Sequence, residues 1–189
     1  MKNRSKLSTK KIVLTALLAA LTTAGSAIRI TLPLEIAGTT SFHLGNILCA
    51  LSGILLGPWL GGVAAGLGSA IYDMMNPLYI SEAWITFLSK GAYGLVAGLI
   101  MLLWKKDWGY IKAAIAAFGG ALTYAVLYLL KSYYYSGILM KGLTSEAALL
   151  AMSLKIPATV FNAALAIIFA PILAVAIRKA LEQNHLTLE

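Results

Sequence analysis

The chain has 189 residues, of which 60% are apolar and 12% charged, with a mean hydropathy of +0.83. That composition excludes a disordered chain and argues against a soluble enzyme, and a single cysteine, Cys49, excludes a disulfide-stapled module. Roughly 20 apolar residues cross a bilayer as a helix, so the length accommodates about six spans in one membrane domain over 1–189. The reading is an all-α membrane protein of six transmembrane helices with both termini cytoplasmic.

A basic tail over 1–10 precedes the first span, about 11–28. Basic residues before an apolar run also start signal peptides, but this run has the length of a full span and reads as a retained helix. Arg29 to Phe42 holds Pro33, Gly38 and Thr39-Thr40-Ser41 and reads as a loop whose apolar residues fold back onto the protein. A short second span, 43–56, stops at Gly57-Pro58. The third, 59–75, is glycine-rich and closes at Asn76-Pro77. The fourth runs over 82–104 and the fifth over 110–135, joined by a polar turn at 105–109. The connection 136–144 leads to a last segment too long for one span. Pro157 predicts a break in it, Pro171 a kink, and the sixth span covers about 148–180.

The Lys/Arg distribution sets the orientation. With the N-terminus inside, ten of the fifteen basic residues fall on the cytoplasmic side and only Arg29 and Lys141 in outer connections. Topology therefore accounts for most of the formal charge of +8, and no nucleic-acid partner is needed to explain it.

The remaining three, Lys90, Lys131 and Lys155, lie within spans. Charges there cost roughly 2.5–3.5 kcal/mol on insertion scales and persist where they face a cavity or a partner. Lys90 lies about 12 Å into the fourth span and Lys131 about 6 Å below the outer end of the fifth. Lys155 starts the last segment on the same side. Asp73, Glu82, Glu35, His43 and Asn46 fall at that level too, and the inner halves carry no comparable set. A path through the membrane needs polar groups at every depth, whereas a pocket open to the outside needs them on one side only. Lys131 and Lys155 also fit snorkelling to the interface, and Lys90 also fits a structural pair with Asp73 or Glu82.

Aromatic residues gather at the same level. Trp84 and Tyr93 flank Lys90, and Tyr124 and Tyr128 share a helix face near Lys131. Such faces beside lysine and carboxylate suit a small planar ring with hydrogen-bonding substituents. Asn162 can read those substituents with its amide, or equally bond another helix. Small-residue steps (Ala16/Ala20, Gly57/Gly61, Gly62/Gly66, Gly94/Gly98) allow close helix packing, and the first of them also suits docking to another membrane protein. No Walker motif, metal-ligand spacing or activated nucleophile is evident, so neither a cofactor nor a catalytic role is expected.

These residues resemble a known family. His43-Leu44-Gly45-Asn46, Gly57-Pro58-Trp59-Leu60-Gly61-Gly62, Gly66-Leu67-Gly68-Ser69-Ala70 with Asp73, Ser89-Lys90-Gly91, Gly94-Leu95-Val96-Ala97-Gly98 and Lys155-Ile156-Pro157-Ala158 with Asn162 look like the riboflavin-type S components of energy-coupling factor (ECF) vitamin transporters. The resemblance covers nearly the whole chain. It implies a bacterial cell-membrane subunit that captures a vitamin or vitamin precursor at the outer face. A transmembrane coupling subunit and two ATP-binding cassette ATPases would be its partners. Ligand contacts are implied at Lys90, Lys155 and Asn162, and coupling-subunit docking at Ala16 and Ala20. The loop with Glu35, Thr39 and Thr40 would form a lid, and the subunit would topple to release its load inside. The Phe-Ser-Asp-Val-Pro type stretch of riboflavin binders is replaced by His43-Leu44-Gly45-Asn46, and the nearer likeness is to pyridoxine- or hydroxymethylpyrimidine-like members. A stand-alone secondary transporter is the competing reading.

Overall fold

The computed structural model describes residues 9–34, 38–104 and 109–184. Helix α1 (Thr9–Ala27) leads into a two-stranded antiparallel hairpin, β1 (Arg29–Leu34) and β2 (Gly38–His43). Helices α2 (Gly45–Met74), α3 (Ala83–Leu102), α4 (Tyr110–Leu130, continued in π-helical winding over Lys131–Met140), α5 (Ser145–Ser153) and α6 (Ile156–Gln183) follow. Among the described residues, five helical stretches are long and apolar enough to cross a membrane.

Helix α2 is not one rod. Gly57 has φ 77° and ψ −174°, a conformation closed to residues with a Cβ, and Pro58 starts a new helix from it. The chain folds back there, because Cys49 Sγ lies 3.6 Å from Ser69 Oγ although twenty residues separate them. Residues 45–56 and 58–74 thus form two antiparallel legs, at the boundary that Gly57-Pro58 marks in the sequence. The first leg has twelve residues and rises only about 18 Å, well short of the roughly 30 Å hydrocarbon core. Its shortness leaves space at the hairpin end of the bundle.

Helix α3 packs along both legs. A Cβ on Gly94 would stand 2.6 Å from the carbonyl oxygen of Gly61, and Gly53 faces Gly94 in the same way, so backbone meets backbone. Away from the hairpin the core is small and apolar: Ala65, Ala97, Ala113, Ala117, Ala166 and Ala170 are buried there.

The segment 29–42 is a hairpin and not a loop, so the bundle carries a β element that the all-α reading lacks. Register runs from Arg29 opposite His43 to Leu34 opposite Gly38. Ile30, Leu32 and Leu34 alternate with Arg29, Thr31 and Pro33, the period of a strand. Pro33 costs nothing on an edge strand. The fifth helix also outruns its expected end at 135, continuing to Met140 because π-winding carries Lys131, Ser136 and Lys141 along one face. The break near Pro157 is present, with Leu154 and Lys155 between α5 and α6 and Pro157 in the first turn of α6. Pro171 is buried inside α6, which continues through it.

Candidate functional site

A cavity of about 270 Å³ lies under the hairpin. Its lining comes from one end of the bundle: the end of α1 (Ser26), the hairpin (Arg29, Thr39, Thr40, Ser41, His43), and the start and end of α2 (Asn46, Ser69, Asp73). The start of α3 (Glu82, Thr86, Lys90), the end of α4 (Tyr124, Tyr128, Lys131, Ser136) and the start of α6 (Lys155, Thr159, Asn162) complete it. Among the described residues, the buried charged ones are Asp73, Lys90 and Lys155, and all three line this cavity.

Lys90 is 4% exposed. Its ammonium donates to the side-chain oxygen of Asn46 and sits 3.8 Å from the centre of the Tyr124 ring. No carboxylate lies within ion-pair distance of it among the described residues, so the pairing with Asp73 or Glu82 does not occur. Glu82 is taken instead by Lys131 at 2.6 Å through one oxygen and by Ser136 at 2.6 Å through the other. Lys131 and Ser136 are five residues apart, and only π-winding brings them to the same side. Lys155, 6% exposed, has its ammonium 5.8 Å from the Tyr128 ring centre.

Tyr124 and Tyr128 stack at 5.7 Å and form the aromatic wall. Tyr93 is fully buried behind it, 5.9 Å from Tyr124, so it supports the wall and does not face the cavity. Trp84 is 59% exposed and meets Tyr135 edge-on at 5.8 Å, outside the cavity. Both flank Lys90 in sequence; Trp84, six residues before it, is turned away, whereas Tyr93, three residues after it, shares its side of α3 and packs on the same Tyr124 ring.

Asn162 lines the cavity and its side chain also ties the hairpin to α6. Its amide donates to the Ser41 carbonyl at 2.7 Å and accepts from the His43 N–H at 3.0 Å, which clamps β2 to α6. Phe42 against Phe161 at 5.0 Å and Thr39 with the Tyr79 hydroxyl at 3.2 Å complete the attachment of the hairpin. Thr39 and Thr40 line the cavity from that roof, while Glu35 lies outside the described residues. His43 has a buried Nδ1 without a partner, and burial, reinforced by the charges of Lys90 and Arg29, holds its imidazole well below the ordinary value and therefore neutral.

Sequence reasoning missed Arg29, Tyr79, Ser136 and Thr159. Arg29 was counted as a loop charge, yet its guanidinium stacks 4.0 Å from the Tyr72 ring and 5.1 Å from Tyr79. Strand alternation from Arg29 to Leu34 was the available signal. At the other candidate surface, Ala16 and Ala20 are exposed on α1 beside Ile12, Val13, Leu17 and Leu21. The opposite face of α1 packs on α2, where Thr23 donates to the Gly68 carbonyl at 2.8 Å.

The family model for "ECF-type riboflavin transporter, S component" matches residues 6–179. A protein of Pyrococcus woesei described as an uncharacterized protein in the gap 3′ region is 35% identical over 79 residues, which is 42% of this chain and 50% of that relative. The aligned region thus spans about half of the curated relative.

Proposed function

The chain belongs to the ECF-type riboflavin transporter S-component family, and from that premise we propose that it is the substrate-binding subunit of an ECF importer in a bacterial cell membrane. In this reading it crosses the bilayer six times, the two legs of α2 counting separately, with both ends cytoplasmic. It captures a small vitamin or vitamin precursor on the outer side and performs no catalytic step of its own. A transmembrane coupling subunit docks on the α1 face around Ala16 and Ala20, and two ATP-binding cassette ATPases drive release by toppling the subunit.

The observation that carries this reading is the one-sidedness of the cavity. Among the described residues, the buried charges all sit at the hairpin end, while apolar residues, many of them alanine, make up most of the rest of the core. Such a protein holds a ligand but offers no polar route onward, which argues against a stand-alone transporter. The volume of about 270 Å³ falls just under the usual range for drug-sized ligands. Together with the Tyr124–Tyr128 wall it favours a single ring of the pyridoxine or hydroxymethylpyrimidine kind. Riboflavin stands as the second reading, because the family carries its name.

The test is mass spectrometry of small molecules that co-purify with the protein in detergent from cells grown in rich medium. A stoichiometric single-ring vitamin species is expected. An empty protein that also binds no member of a vitamin panel would sink the proposal. Replacing Ala16 and Ala20 together by leucine should leave ligand affinity unchanged and abolish co-purification of the coupling subunit. Intact assembly would show that this face meets only lipid.

A further inference from the structure

The charge balance of the cavity narrows the ligand class, given the reading above that this cavity is the binding site. Five basic side chains line it, Arg29, Lys90, Lys131, Lys141 and Lys155, against two carboxylates, Asp73 and Glu82. Glu82 is consumed by Lys131 and Ser136. Among the described residues, no carboxylate lies within ion-pair distance of Arg29, Lys90 or Lys155. Arg29 is covered by the Tyr72 and Tyr79 rings and donates to the Ser26 carbonyl at 2.7 Å. Lys90 has Asn46 and the Tyr124 face.

Lys155 has less than either. Its ammonium lies 5.8 Å from the Tyr128 ring centre and, among the described residues, meets no hydrogen-bond acceptor, although the residue is 6% exposed. An ammonium on a largely buried side chain that meets no acceptor, and that shares Glu82 only at longer range with Lys131, is under-compensated, and the cavity it opens onto gives a further counter-charge a place to come from. The same point lies at the start of α6, for which Lys155 is the N-cap and Thr159 a cavity-lining residue of the first turn. The positive end of a helix dipole adds to the attraction for negative charge. The Lys131 and Lys155 ammoniums both lie near Tyr128, 5.4 Å and 5.8 Å from its ring centre, so a ring stacked there would carry a substituent within their reach.

The geometry points to an anionic ligand: an aromatic ring bearing a carboxylate or phosphate, with Lys155 as the group that holds the negative charge. The neutral ring alone leaves Lys155 unpaired, whereas the acid form satisfies it with a charge-assisted hydrogen bond.

Titration calorimetry on the full-length protein in detergent tests this with matched pairs. Pyridoxine is compared with pyridoxine 5′-phosphate, nicotinamide with nicotinate, and riboflavin with riboflavin 5′-phosphate. For at least one pair the anionic member is expected to bind about 10- to 100-fold tighter than its neutral partner. Lys155→Gln should erase that preference and Lys155→Arg should keep it, with thermal denaturation confirming that both variants fold. If neutral members bind as tightly as their anionic partners, the anion inference is overturned while the binding-subunit reading stands. A preference that survives in Lys155→Gln overturns the role of Lys155. If no member of any pair binds, and the vitamin panel also fails, the binding-subunit reading itself falls.

Discussion

Where α3 crosses the two legs of α2, Gly53, Gly61 and Gly94 bring backbone against backbone and no side chain intervenes. One to three turns nearer the hairpin, the same helices contribute Asn46, Asp73 and Lys90 to a polar cavity. The seam is dry and permits no insertion. The cavity is held open by long polar side chains whose charges are only partly paired. The seam sets the distance between helices, and that distance decides how wide the cavity can be. Stability therefore belongs mainly to one region and ligand binding to the other.

The largest effect comes from breaking the seam. Gly94→Leu puts a side chain where a Cβ already meets the Gly61 carbonyl at 2.6 Å, so α2 and α3 must part. A loss of about 3 kcal/mol or more is expected, seen as disappearance of the monodisperse peak in size-exclusion chromatography. A variant that elutes and melts like the parent would show that the seam is not what fixes the bundle.

Lys90→Met sharpens the comparison from the other side. It removes a buried charge that has no carboxylate partner and keeps the length of the side chain. Thermal stability should hold or rise, while affinity for the co-purifying ligand should fall by about tenfold or more. Unchanged affinity would remove Lys90 from the site.

Asn162→Leu leaves both the seam and the ammoniums in place and cuts the two bonds that clamp β2 to α6. Faster hydrogen exchange in β2, quicker ligand dissociation and a loss of about 1–3 kcal/mol are expected, since the His43 N–H is left without its acceptor. If exchange in β2 does not change, Phe42 and Tyr79 are enough to hold the hairpin.

The seam was legible in the sequence because glycine at four-residue spacing has one dominant use in a membrane helix. Gly57-Pro58 likewise announced the fold-back of α2, and the cost of burying Lys90, Lys155 and Asp73 announced their common level. What was not legible depends on winding and on the partners that long-range folding brings. Helical spacing gives no warning that 131–140 winds as a π-helix, so the shared grip of Lys131 and Ser136 on Glu82 could not be read. Pro33 and Gly38 masked the strand alternation, and with it the cavity role of Arg29. The amide of Asn162 was left open between a ligand and another helix, because its partners in β2, Ser41 and His43, lie about 120 residues away in the chain. Trp84 and Tyr93 were placed by proximity to Lys90 along the chain; rotation about α3 carries Trp84 to Tyr135 outside the cavity, and Tyr93, though on the Lys90 side, packs behind the Tyr124 ring.

The smallest effect tests where cavity and hairpin meet. His43 is neutral in the folded protein because burial disfavours the charged ring and Lys90 and Arg29 add repulsion. In the unfolded chain the imidazole takes a proton near pH 6.5. The contribution of this residue to stability is therefore present above about pH 6.5 and falls as the pH drops below it, by up to about 1.4 kcal/mol per pH unit until the folded ring is protonated. Melting temperatures measured between pH 8 and pH 5 should decline more steeply for the parent than for His43→Gln, which keeps a polar side chain and cannot titrate. Parallel declines would mean that the acid sensitivity arises in the Glu82 ion pair with Lys131, and that the ring at the hinge between β2 and α2 is already wet.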